Sequence, residues 1–223
     1  MYPSSSSTPN PADPTQSAMF LNNYIHSPCD QSHLVVNCIL FSGLAVCIIL
    51  LTEALENLGC RLPRRFFAYI MAIFFLALPF AISGASLLVV DRGVITMISG
   101  FSGINSALLG IVLFLFLVLL DVHILHRRPP PEIPATRSPS PLARVSFLVF
   151  VPALMVVLIT LGMLLDPNPQ SNIAAHLAGF YLGLLCSPLV LLLTTPGGRH
   201  QQAWAAVLLA LLLTVPIAGG MVV

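Results

Sequence analysis

Charge is what this chain has least of. Only 8% of its 223 residues are charged, none is lysine, and 57% are hydrophobic, with a mean hydropathy of +0.95. A soluble domain carries about a quarter charged residues, so this composition excludes one and points to an integral membrane protein. The long apolar runs hold no acidic residue away from their ends and show no strict alternation of polar with apolar positions. That pattern excludes barrel strands and leaves helices, which satisfy their backbone polar groups within the segment. The five cysteines, at 29, 38, 47, 60 and 186, form no CxxC and no zinc or disulfide pattern, and are expected to be small packing residues. Residues 1–33 have neither the basic start nor the apolar core of a signal peptide; SSSSTPNPADPTQS is low-complexity and proline-broken and reads as a mobile tail.

Six stretches reach the roughly 20 apolar residues that a spanning helix needs: 34–52, 66–90, 93–120, 145–165, 173–195 and 203–223. The expected fold is all-α, a polytopic bundle of six transmembrane helices. The interruptions at 53–65, 121–144, 166–172 and 196–202 are expected to be loops. All nine basic residues are arginine, and Arg61, Arg64, Arg65, Arg127, Arg128, Arg137, Arg144 and Arg199 fall in alternate loops, with Arg92 alone on the other side. By the positive-inside rule those loops are cytoplasmic and the N-terminal tail is outside. His123 and His126, beside arginines at the end of the third stretch, read as an interfacial anchor and not as a metal site.

In this topology the first, third and fifth stretches start at the outer face, and the uncommon polar residues of the membrane region gather at those starts. The first carries His33 and Asn37, the third Ser102, the fifth His176. An imidazole or carboxamide in a bilayer is expensive unless it faces a partner or a water cavity, which makes it a functional hypothesis by default. His33 and Asn37, four apart, share a helix face. His176, Gly179 and Gly183 share another, and Gly100, Gly103, Ser106, Ala107 and Gly110 make the third helix thin enough to meet it. Close approach of the two would bring Ser102 toward His176. A serine hydroxyl becomes a nucleophile when a neutral imidazole takes its proton, and the oxyanion that forms needs preorganised donors such as a side-chain amide. Ser102 and His176 fit the first requirement, His33 and Asn37 the second. Each residue also has a plainer reading, as packing serine, structural histidine or an asparagine bridging two helices. The conjunction of all four at one depth favours chemistry.

HLVVN (33–37), GFSG (100–103) and HLAGFYLG (176–183) together resemble the HxxxN, GxSG and HxxGxxxG motifs of the rhomboid family of intramembrane serine proteases, over about residues 20–195. The resemblance implies Ser102 as nucleophile and His176 as general base, without an acidic third member. It implies an oxyanion hole from His33, Asn37 and the Ser102 amide, and packing roles for Gly100, Gly103, Gly179 and Gly183. It implies single-span membrane proteins as substrates, cut in or near their transmembrane helix within the lipid bilayer, with no cofactor, metal or nucleic acid. The implied location is the plasma membrane, with the active site opening to the extracytoplasmic side.

Three departures from the family pattern stand out. HxxxN lies on the first apolar stretch where the family has it on the second helix, so the family's first helix has no counterpart here. The aromatic residue that many members carry four after the nucleophile is Ser106, and the arginine-containing motif of the family's first external loop is not visible in residues 1–32. The organisation expected is a tail and loop remnant at 1–32, a rhomboid-like membrane domain at 33–195 and an extra C-terminal transmembrane helix at 196–223. The rival reading is a catalytically inactive rhomboid-like protein that binds transmembrane clients. Aspartyl and zinc intramembrane proteases are excluded by residue content, since intramembrane acidic residues and HExxH are both lacking. A transporter would show paired polar residues along a whole pathway, whereas polarity here stops near the outer third.

Overall fold

The computed structural model describes residues 31–89, 101–126, 154–165 and 173–222. Among the described residues the chain is helical and contains no strand. The helices are α1 (Gln31–Asn57), α2 (Arg64–Ala72), α3 (Leu78–Val89), α4 (Ser102–His126), α5 (Leu154–Leu164), α6 (Ile173–Thr194) and α7 (Arg199–Val222). A π-helical turn, Ile73–Ala77, joins α2 and α3 into one continuous element. Five elements are long and apolar enough to cross a membrane: Leu34–Asn57, Arg64–Leu88, Ser102–His123, Ile173–Thr194 and Arg199–Met221. The stretch expected at 145–165 is described from residue 154 onward, as α5, and its first part lies outside the described residues.

The helices overrun the expected loops. α1 continues five residues past 52, α4 continues through Asp121 to His126, and α7 begins at Arg199 and not at 203. Hydropathy marks the thickness of the apolar layer, while hydrogen bonding decides where a helix stops, and segments such as Glu53–Asn57 are made largely of good helix formers. What stops α1 is Gly59, whose φ of 80° is the left-handed conformation that glycine adopts without steric cost. Its N–H donates to the Glu56 carbonyl and the Cys60 N–H to the Leu55 carbonyl, both at 2.9 Å, the paired bonds of a Schellman closure. Pro63 then stands just before α2, where its missing N–H costs nothing.

The π turn has a local cause in Pro79. A proline inside a helix lacks an N–H and its ring strikes the carbonyl four residues back. The chain widens one turn ahead of it, with the Leu78 N–H reaching the Ile73 carbonyl five residues back.

α4 is the centre of the bundle. Half of its most apolar window is buried, against 11% for α1 and for α7. α1 and α6 pack on different faces of α4, α3 packs on α6, and α7 covers α3 and α6. The contact of α7 with α3 is close: a Cβ at Gly84 would collide with the Pro216 carbonyl, and one at Gly220 would come within 2.6 Å of the Gly84 Cα. The outer faces stay apolar. Val35, Val36, Ile39, Ile49 and Leu50 on α1, and Trp204, Leu211 and Val215 on α7, are exposed. In water such faces would form patches far beyond what a soluble monomer shows, and a lipid surround accounts for them. Of the cysteines, Cys186 is buried as a packing residue would be, but Cys38 and Cys47 point outward, which corrects the expectation for those two.

Candidate functional site

Ser102 is the first residue of α4, Asn37 lies in the second turn of α1, and His176 is the fourth residue of α6. Two sets of contacts bring these three helix starts to one level. On one side, a Cβ added to Gly103 would lie 3.3 Å from the Ala175 carbonyl oxygen and 3.6 Å from the Ala175 Cβ. The residue after Ser102 therefore touches the residue before His176. The seam continues inward: a Cβ at Gly179 would collide with the Gly103 carbonyl, one at Gly183 with the Ala107 carbonyl, and one at Gly110 with the Phe180 carbonyl. α4 and α6 thus run parallel with backbone against backbone, an approach open only to small residues. Ser102 and His176 are both partly buried, at one end of that seam.

On the other side, Asn105 faces Asn37. The Asn105 Nδ2 donates to the Asn37 backbone carbonyl at 3.0 Å and to the Asn37 Oδ1 at 2.9 Å. Asn37 is 3% exposed and Asn105 1%. Around them Phe41 sets its ring 5.3 Å from that of Phe101, the residue before Ser102, and 6.5 Å from that of Phe74 in the π turn. Asn37 therefore does bridge two helices.

The remaining residues named from sequence fall as follows. Gly103, Gly179 and Gly183 lie in the seam, as do Ala107 and Gly110. Ser106 is buried, and its hydroxyl donates to the Ser102 carbonyl at 3.0 Å, a bond within its own helix. It does not replace the aromatic ring that the family pattern would set at that position. His33 belongs to α1, but its side chain lies outside the described residues, and Gly100 lies outside them altogether. Among the described residues no group of three or more His, Cys, Asp or Glu could hold a metal ion.

Two polar contacts escaped the sequence reading. One is Asn105, whose signal was a carboxamide in an apolar run three residues after the serine. The other joins α5 to α6, where the Thr160 and Tyr181 hydroxyls lie 2.7 Å apart.

Comparison of the chain with protein-family models, with curated proteins and with solved structures returns no match.

Proposed function

We propose that the chain is a rhomboid-like intramembrane serine endopeptidase that cleaves single-span membrane proteins with a Ser102–His176 dyad. The observation that carries this reading is the glycine seam, which sets the neighbours of Ser102 and His176 in contact at the same end of the bundle. In the reaction the Ser102 hydroxyl attacks a peptide carbonyl of an unwound substrate segment while its proton passes to the His176 imidazole. The tetrahedral oxyanion is held by the amide of Asn37, by His33 and by the backbone N–H of Ser102. That N–H belongs to the free N-terminal turn of α4, where the helix dipole favours negative charge. Collapse expels the new amine, which takes the proton from His176. Water then attacks the acyl-serine, His176 again accepting the proton and passing it to the Ser102 Oγ as the ester bond breaks, and the carboxylate product leaves.

The arrangement also supports an orientation. Arg61, Arg64, Arg65 and Arg199 lie at the ends of α2 and α7 away from the serine, and arginine marks the cytoplasmic side. The site then opens to the extracytoplasmic side, and the plasma membrane is the membrane we assign.

The test is reconstitution with a model single-span substrate, wild type against Ser102→Ala. The expected outcome is cleavage by wild type, none by the variant, and fluorophosphonate labelling of wild type alone. Cleavage that survives the substitution would overturn the serine mechanism. Absence of cleavage and labelling in both would favour the client-binding, non-catalytic reading.

A further inference from the structure

The link between α1 and α2, residues 58–63, is short enough to hold two antiparallel helices side by side. They do not close on each other. Between them and α4 lies a groove of about 510 Å³, walled on α1 by Ala45, Ile48 and Thr52 and on the opposite side by Phe67, Met71 and Phe74. Ile49, on the α1 rim, is 65% exposed, so the groove opens on the outer, apolar surface of the bundle. The α1 residues that line it extend from Phe41 to Glu56. At about 1.5 Å per residue that is roughly 22 Å of helix.

The groove is apolar along its length and acidic at one end. Glu53 and Glu56 line it there, whereas Arg61, Arg64 and Arg65, at the same end of the bundle, do not. Arg61 and Glu56 approach to 3.9 Å with side chains 85% and 50% exposed, a pair that solvent screens and that holds the carboxylate only weakly. The Glu53 carboxylate has no ion pair or hydrogen bond among the described residues. This acidic end is the one assigned above to the cytoplasm, and Ser102 lies at the opposite end of the bundle.

We propose that this groove binds one transmembrane helix of a partner protein whose cytoplasmic end carries lysine or arginine. The assignment uses the orientation given above and none of the protease chemistry, so it holds whether or not the chain cuts what it binds. An acyl chain from one leaflet reaches about 15 Å, half of the hydrocarbon core, and matches only part of a groove this long, while a helix runs through it. The two carboxylates repel lipid phosphates and attract the basic residues that flank membrane helices on the cytoplasmic side. Ala45 and Thr52, two turns apart on the α1 wall, are small enough for another helix to approach closely, and Phe67 and Met71 supply bulk on the facing wall. Residues 1–30 are the poorer candidate, because they join α1 at Gln31, the end away from the carboxylates, and contain no lysine or arginine to meet them.

The experiment places a photo-reactive residue at position 45 and, for comparison, at position 204 on the exposed face of α7, in full-length protein carrying Ser102→Ala so that no probe is cut. The protein is reconstituted in phosphatidylcholine vesicles with a model helix of about 20 leucines and alanines. The helix ends in lysines at both ends or in glutamates at both ends, so that its direction of insertion does not matter. The lysine-ended helix is expected to be labelled from position 45 and not from 204, and about fivefold more than the glutamate-ended one, the factor that two exposed ion pairs supply. Glu53→Lys/Glu56→Lys should reverse that preference and Glu53→Gln/Glu56→Gln should abolish it, with helix content and unfolding midpoint unchanged. Equal labelling of the two helices with the native carboxylates in place, a preference that survives the reversal, or labelling from 204 as strong as from 45 would overturn the site. A position-45 product that holds only lipid, only a second copy of this chain or only a link within the chain would overturn it too, and would name the occupant. Because no cleavage is read, failure here and failure of the protease reading are distinguishable.

Discussion

α4 has two flanks, and they are built on different principles. Against α6 it presents Gly103, Ala107 and Gly110, and the two backbones meet along the whole seam. On the side of α1 it presents the Asn105 carboxamide and Leu108, and beside that polar pair lie the Phe41 and Phe101 rings and open space. Between α1, the α2–α3 element and α4 lies a cavity of about 510 Å³, lined among others by Phe41, Ile48, Phe67, Phe74 and Leu108, with Glu53 near one end. The difference teaches where rigidity is placed. Ser102 and His176 sit at the end of the flank that cannot slide, because a glycine seam allows only one depth of approach. Asn37 comes from the flank that could slide, and there a directional polar bond to Asn105 supplies what shape does not.

The largest expected effect comes from breaking the tight flank. Gly179→Ala adds a single methyl, yet it meets the Gly103 backbone carbonyl and comes within 3.3 Å of the Ala107 nitrogen, and neither is a side chain that can swing away. α4 and α6 must separate, and every contact along the seam loosens with them. The expected cost is about 3 kcal/mol, the upper range for overpacking, with loss of cleavage even in the fraction that remains folded. Unfolding in mixed micelles together with the cleavage assay checks it. A Gly179→Ala protein as stable and active as wild type would show that the flanks do not differ as described.

The two flanks were also unequally legible in sequence. Small residues spaced by three and four at Gly103, Ala107 and Gly110, and at Gly179 and Gly183, announce a seam because the periodicity of each helix alone defines the thin face. The run lengths of the apolar stretches likewise located five spanning elements, although α1 and α4 end, and α7 begins, several residues beyond the hydropathy limits. The loose flank could not be read in this way. No pattern within α1 or α4 says which residue of one faces which of the other, so Asn37 and Asn105 are both visible as polar residues in apolar runs while their pairing is not. The π turn escaped for a related reason: Pro79 shows that the helix must adjust, but not whether it kinks, ends or widens by one residue.

The intermediate effect falls on the loose flank's packing. Phe41→Ala removes the ring contacts to Phe101 and Phe74 and enlarges the cavity. Deleting a phenylalanine from a sealed, water-soluble core costs about 3–5 kcal/mol. Here the expected loss is about 1–2 kcal/mol, because Phe41 is only partly buried and lipid chains can refill space that opens on the membrane. Mixed-micelle unfolding again reads the value. A loss as large as that of a sealed core would mean that the cavity between α1 and α2 is closed to lipid.

The smallest effect is the sharpest control, because it places the same residue type on the free face of α1. Gly43 lies in α1, and a Cβ added there meets no atom of the described residues within 4 Å. Gly43→Leu should therefore create no collision, and leucine is the better helix former by about 0.8 kcal/mol. That gain is largely offset because the side chain is solvated by lipid in both the folded and the dissociated helix, so no burial term is added. The net change is expected within about 0.5 kcal/mol, with cleavage retained. Glycine at 179 then marks a contact between backbones, whereas glycine at 43 marks none, and Gly43→Leu measured beside Gly179→Ala separates the two. A destabilisation at Gly43 comparable to that at Gly179 would show instead that a further apolar element packs against this face of α1.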